Sequence, residues 1–401
     1  MSKSGSTVSP VTLDDLDRGR LAELGREWML HGHLQDRVGM ALVLEVADRE
    51  AMQEVAIEEW MAASPIYSRR MQRAMGFVGT DVETIFKNLQ LDIGAPHQFL
   101  DFRYRLDGPD NGEFWLAFCG ALMDVEPMGE QFVHGMCHTI EDPTFDATAG
   151  ATNPLAQVRP IHRPPRVPAD RAPHCAWTVG VVASGEPVEA TEMEGVVALS
   201  AAAQHPLPAY DVPGPGLDDY SGAFDPDFVL EDLSLRGLRV ALDEFALQSH
   251  LLLRALLLTV EKRFGADRRA EWMPRIVRGW GGLTSQRLKA LLGLEESLES
   301  ALTLLSLHPL VHPLSYTGFR LDGDRVELGP VLDDDGCTWL GSPEVLEPVL
   351  QAAFPSLRLS HDLVVSVGHE PADLPAELFV AQISHGARFV FRPPVGKGVP
   401  A

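Results

Sequence analysis

Four cysteines in 401 residues, none in a Cys-x-x-Cys pair, leave no disulfide framework and no zinc-finger or ribbon spacing. Long apolar runs are missing too. A membrane span needs about eighteen apolar residues, whereas the longest apolar run, Leu251 to Val260, is broken by Arg254 and reads as a buried helix. Met1 to Pro10 is Ser-rich without the apolar stretch of a signal peptide, and is expected to be a disordered tail on a cytoplasmic protein. In a reducing cytosol the thiols are free or act as ligands. Positive charge is scarce: 33 Lys and Arg face 57 Asp and Glu, for a formal net charge of −24. Such a surface repels nucleic-acid phosphates and anionic membranes, so neither is an expected partner. Against this background Arg159, Arg163, Arg166 and Arg171 fall within thirteen residues and call for an explanation.

What the chain does have is a second copy of itself. Glu27, Trp28, His33, Leu34 and Arg37 recur as Glu244, Phe245, His250, Leu251 and Arg254, and Ser68, Arg70, Met71 and Gly76 as Ser285, Arg287, Leu288 and Gly293, every pair 217 apart. Tyr104 to Gly108 recurs as Phe319 to Gly323 at 215. A register held this long marks a duplication, and one copy then serves as a control for the other. The domains expected are a tail at 1–10, a first repeat at 11–204, a linker at 205–227 with five prolines and five aspartates, and a second, degenerate repeat at 228–395. Two homologous domains so tethered are expected to pack as an internal pseudo-dimer, with further homo-oligomerisation open.

Helical periodicity comes first in each copy and strand alternation second, so the expected fold class is α+β, a set of helices with an antiparallel sheet. In copy one, Thr12 caps a helix to about Ala47, Asp48 to Ala63 makes a second that stops at Ser64-Pro65, and short helices follow at Tyr67 to Met75 and Asp81 to Asn88. Phe99 to Leu106 and Phe114 to Leu122 read as a hairpin around a turn-rich segment. A helix at Met128 to Cys137, an extended Pro-rich segment at Asn153 to Arg166 and a strand at Cys175 to Ala183 complete the copy. Copy two predicts a hairpin at Phe319 to Leu328, a helix at Ser342 to Phe354, and strands at Leu357 to Val367 and Leu378 to Phe391.

The residues able to carry chemistry lie in copy one, where a helix ending at Cys137-His138 puts His134 and His138 on one face. Three readings compete. Thiolate and imidazole suit zinc or iron, with Cys119, His134, Cys137, His174 and Cys175 as ligands. Alternatively Cys137 is a nucleophile with His138 as base and Glu141 as orienter, Asp142 beside them. In the third, the cysteines fill a core and the histidines are solvated or hydrogen-bonded. Arg159, His162, Arg163 and Arg166 on a Pro-stiffened strand either hold a small anion or only pair with the surplus acids. His33 and His250, kept by both copies, read as structural. Copy two lacks the cluster: Gly329-Pro330-Val331-Leu332, Ser342-Pro343-Glu344-Val345 and His361-Asp362 stand in its place, and its lone Cys337 has no histidine nearby.

The order Cys119, then Cys137 with Glu141 and Asp142, then Asn153-Pro154, then Cys175 with Trp177 resembles the L-2-amino-thiazoline-4-carboxylic acid hydrolase-like family and the related 4-vinyl reductase domains, over about Leu21 to Val182. The resemblance implies helices against an antiparallel sheet, pairing as dimers, and a small-molecule pocket near the cysteines. His138 and the Arg-His-Pro segment are not family features, so the family's substrate is not carried over. The function expected is a cytoplasmic hydrolase acting on a C–N bond of a small anionic molecule. The alternative is a non-catalytic small-molecule or metal-binding sensor module, and a third reading is a partner subunit of a larger enzyme.

Overall fold

A 3₁₀ turn at Leu13–Asp15 leads into α1 (Arg18–Met29), which a break at Leu30 separates from α2 (His31–Val46); α3 (Arg49–Ala74) and α4 (Val82–Leu89) follow. These elements belong to a computed structural model that describes residues 10–327, 343–360 and 365–367. Asp17, Asp48 and Asp81 start α1, α3 and α4, each carboxylate accepting at 2.9 Å from the backbone N–H three residues on. Two expectations are corrected here. The helix from Thr12 to Ala47 is three segments, and the stop at Ser64-Pro65 is absent, because Pro65 lies inside α3. Proline removes one helical hydrogen bond, but Ser64 to Tyr67 are all buried, and that packing overrides the local signal.

The hairpin forms as β1 (Leu100–Gly108) and β2 (Asn111–Cys119). The helix expected at Met128 to Cys137 is instead a longer broken path: α5 (Gly120–Val125), α6 (Glu130–His134), a π-helical turn at Gly135–Ile140, and α7 (Glu141–Gly150). β3 (Ala156–His162) and β4 (Cys175–Val181) then complete one antiparallel sheet in the order β1-β2-β4-β3. Phe114 stands opposite Trp177 and Leu116 opposite Cys175. Alternation along the strands buries Phe114, Leu116, Val158, Trp177 and Val179 on one face. Phe145 of α7 covers that face, its ring centroid 5.4 Å from Phe114 and 5.1 Å from Trp177.

After α8 (Glu192–Val197) and α9 (Ala201–Gln204), the segment expected to be a linker is laid onto the first half. Tyr220 is buried and donates to Gln90 Oε1 at 2.8 Å, and Lys87 Nζ donates to the Gly222 carbonyl at 2.6 Å. Its prolines and glycines gave the composition of a tether, yet two aromatic residues, Tyr220 and Phe224, anchor it. The second half contains α10 (Leu235–Phe264), α11 (Ala266–Leu292), α12 (Leu298–Ser306), α13 (Leu314–Thr317), the hairpin β5 (Arg320–Asp322) and β6 (Arg325–Glu327), α14 (Pro343–Gln351), and the short pair β7 (Leu357–Leu359) and β8 (Val365–Val367). α14 is shorter than expected, and 357–367 holds two paired strands in place of one. Cys337, His361, Asp362, 329–332 and 378–391 lie outside the described residues. The architecture is mixed α and β, and no helix among the described residues is long and apolar enough to cross a membrane.

α10 packs along α3 and α1, and α11 along α2. Among the ion pairs between these helices, two are related by the 217 spacing. Arg70 Nη2 lies 2.7 Å from Glu244 Oε1 and Nε 3.0 Å from Oε2, while Arg287 Nε lies 2.6 Å from Glu27 Oε2 and Nη2 2.8 Å from Oε1. Each pair is the other's counterpart at the 217 spacing. Burial raises the pKa of Glu244 and the Arg70 guanidinium opposes that rise.

Candidate functional site

Between α2, α3, the sheet, the segment from Ala121 to Thr148, and α11 lies a cavity of about 820 Å³. That size suits a small organic ligand. Met40, Met52, Trp60, Phe102, Phe132, Met136 and Phe145 give it apolar walls. The π-helical turn bears on its shape: residues five apart stack in such a turn, so Met136 and Glu141 both line the cavity while Cys137 turns into the core. α11 comes close enough to α2 that a Cβ on Gly279 would lie 2.7 Å from Val38 Cγ1, so the second half supplies one wall.

The polar groups lining this cavity have different environments. Tyr67 OH donates to Asp92 Oδ1 at 2.9 Å and the Gly94 N–H to the same oxygen at 2.7 Å. Trp60 Nε1 donates to Asp36 Oδ2 at 2.9 Å. Burial pushes Asp36 and Asp92 up to about 6 each. Behind Asp36, fully buried Glu59 is pushed well above the carboxylate range by burial and then by Asp36, and neither of its oxygens nor Asp36 Oδ1 has a hydrogen-bond partner among the described residues. Thr144 and Thr148 spend their hydroxyls on the Ile140 and Thr144 carbonyls. Among the cavity-lining carboxyls, Glu141 is pushed higher than Asp36 and Asp92. Burial drives it up to about 8, against the pull of Arg163, and its Oε2 has no hydrogen-bond partner.

Cys119, Cys137 and Cys175 are buried around Glu141, close enough that its charge acts on all three. The effect is opposite to nucleophile activation. Burial first, and the neighbouring carboxylate and thiols next, push Cys119 and Cys137 far up and Cys175 up to about 12. The expected base is turned away, since His138 Nε2 donates to the Pro164 carbonyl at 2.6 Å and its ring stacks on exposed His134 with centroids 4.2 Å apart. His162 Nε2 donates to the Pro173 carbonyl at 3.1 Å, and His174 Nδ1 accepts the Cys119 N–H at 3.1 Å. Among the described residues no group of three or more His, Cys, Asp or Glu is disposed to hold a metal ion.

Three of the four clustered arginines form internal pairs. Arg159 Nη1 meets Asp146 at 2.8 and 2.9 Å, Arg163 meets Asp142, and Arg166 forms a two-pronged pair with Glu126 at 2.8 Å on each arm. These guanidiniums already have their anions. His33 and His250 donate to the Gly94 carbonyl at 3.1 Å and the His312 carbonyl at 2.8 Å, and His33 also lines the cavity.

Of the candidate residues, Glu141 and Cys119 line the cavity, and the other lining residues named above, with buried Glu59 behind them, were missed. The 217-residue spacing held the signal, because at that spacing Asp36, Glu59, Trp60 and Asp92 correspond to Leu253, Ile276, Val277 and Pro309. Comparing the helical segments of the two copies, in addition to their Cys and His, would have found them. No family model, no curated protein and no solved structure matches this chain.

Proposed function

We propose that the protein binds a small, largely apolar molecule in the cavity of its first half, and that the two halves are tandem copies packed as a pseudo-twofold pair, the second closing one wall of the cavity. The observation that carries the binding reading is Glu141: a carboxyl that holds its proton near neutral pH, at an apolar cavity of about 820 Å³, with an oxygen that no protein group satisfies. Such a group is costly to the fold alone and useful to a ligand that accepts its proton in a hydrogen bond. The pseudo-twofold reading draws on the reciprocal pairs Arg70–Glu244 and Arg287–Glu27, the i-to-j and j-to-i contacts of an isologous interface.

The hydrolase expectation keeps one supporting observation, the same protonated Glu141, which is suited to donate a proton to a leaving nitrogen. It has less support from the cysteines, whose thiols are held in the unreactive form. Titration with the uncharged dye N-phenyl-1-naphthylamine tests the binding reading: one site per chain with blue-shifted emission is expected, and no saturable binding would refute it. Elemental analysis for zinc and iron tests the metal expectation, and a stoichiometric metal would return the Cys/His set to consideration.

A further inference from the structure

We infer that the ligand of this cavity is an amphipathic anion, an apolar body ending in a carboxylate that pairs with Arg278. The inference rests on the binding reading above and adds the charge and the anchor. Three arginines line the cavity. Arg37 Nε donates to Asp124 Oδ2 at 2.9 Å, and Arg275 Nη2 to the two oxygens of Glu45 at 2.9 and 3.0 Å. Arg278 is different. Its hydrogen bond runs from Nε to the Pro274 carbonyl of its own helix at 3.0 Å, and no carboxylate pairs with it among the described residues.

This is not for want of acids in a chain with 57 of them against 33 bases. Arg278 is half-buried, and burial and the neighbouring Arg275 both disfavour its charge, as its lowered pKa records. An arginine stays charged all the same. A guanidinium in that position gains most from a carboxylate that takes both terminal nitrogens. The cavity acids leave room for such an anion: Glu141 is protonated near neutral pH, Asp36 accepts from Trp60, Asp92 accepts from Tyr67 and Gly94, and Asp124 and Glu45 are paired with Arg37 and Arg275. Arg278 lies one helical turn from the solvent-exposed Arg275–Glu45 pair, so the carboxylate sits at the α11 wall and the apolar body reaches Trp60, Phe102 and Phe145.

The test is calorimetric titration of the full chain with decanoate, decan-1-ol and decylamine, below their aggregation limits, for the native protein and for Arg278→Gln and Arg278→Lys. A charged hydrogen-bonded contact is worth enough for a preference of roughly tenfold or more. Decanoate should bind at least tenfold more tightly than decan-1-ol. Arg278→Gln should abolish that preference and leave decan-1-ol unchanged, which also reports an intact cavity, and Arg278→Lys should restore part of it. Decan-1-ol or decylamine binding as tightly as decanoate, or decanoate indifferent to Arg278→Gln, would overturn the anion while leaving the cavity standing. Silence from all three with N-phenyl-1-naphthylamine still bound would likewise overturn the anion. Silence from all three and from the dye would instead remove the binding reading itself.

Discussion

At equivalent positions the two halves make opposite choices. Where the first half places Asp36, Glu59, Trp60 and Asp92 in or behind a cavity, the second places Leu253, Ile276, Val277 and Pro309, all buried. At 33 and 250, also 217 apart, both halves place a histidine that donates to a backbone carbonyl. The difference teaches which polar groups the fold does not require. Buried carboxyls oppose stability unless fully satisfied, and a half that folds with apolar residues at those positions marks the polar set of the other as kept for a task.

The largest effect expected in testing this comparison is at the interface the halves share. Removing one partner of a buried pair strands the other, at a cost of about 3–5 kcal/mol. Arg70 is 1% exposed and Glu244 0%, so Glu244→Gln should cost that much in denaturant unfolding. Glu27→Gln, at the half-buried reciprocal pair, should cost clearly less. Equal losses would mean that the two pairs do not differ in their surroundings as described.

The second prediction grafts the second half's choice onto the first. Asp36→Leu with Glu59→Ile removes a buried carboxyl–carboxylate pair, and replacing buried ionic groups with apolar ones of similar volume stabilises by about 1–4 kcal/mol. The double variant should gain stability within that range while its cavity loses polarity. A loss would mean the pair supports the fold.

Glu141 gives a pH-dependent prediction whose sign is fixed by its raised pKa. The folded chain holds the proton up to about 8, whereas the carboxyl's ordinary value is 4.5. Between those values the native state binds more protons than the unfolded one, so this contribution is fully present below 4.5 and is lost as pH rises toward 8. Glu141→Gln has no such loss. Its stability relative to the native sequence should rise from pH 5 to pH 8 by on the order of 2 kcal/mol, allowing for partial solvent access. A flat difference across that range would place Glu141 in a more solvated setting.

Much of the fold was legible in the sequence, because local signals coincide with what packing demands. Asp48 and Asp81 mark helix starts, the turn-rich segment between Leu106 and Phe114 marks the hairpin, and alternation over Phe99 to Leu106 marks β1. The helix through Pro65 and the anchored segment at Tyr220 were illegible since tertiary burial decided both. At the site, Glu141 and Cys119 were found, but the sequence drew attention to rare residue types, cysteine, histidine and clustered arginine. Whether an arginine is consumed by a nearby acid, as Arg159, Arg163 and Arg166 are, depends on three-dimensional proximity that spacing does not encode.

The smallest effect is a null one. In a Cys337→Ser background, Cys119, Cys137 and Cys175 should react with Ellman's reagent at pH 8 only as fast as the protein unfolds, as expected of buried thiols that remain protonated. One fast-reacting thiol, traced to Cys137, would restore it as a nucleophile.

The central claim, that the first half carries the ligand site and the second does not, is tested most directly by one pair of variants at equivalent positions. Ala56 lines the cavity and Met273 stands 217 residues on. Binding of N-phenyl-1-naphthylamine should be weakened by about tenfold or more by Ala56→Trp, whose indole projects into the cavity, and retained at one site per chain by Met273→Trp. Dye binding that is unchanged by Ala56→Trp and disappears in Met273→Trp would contradict the account.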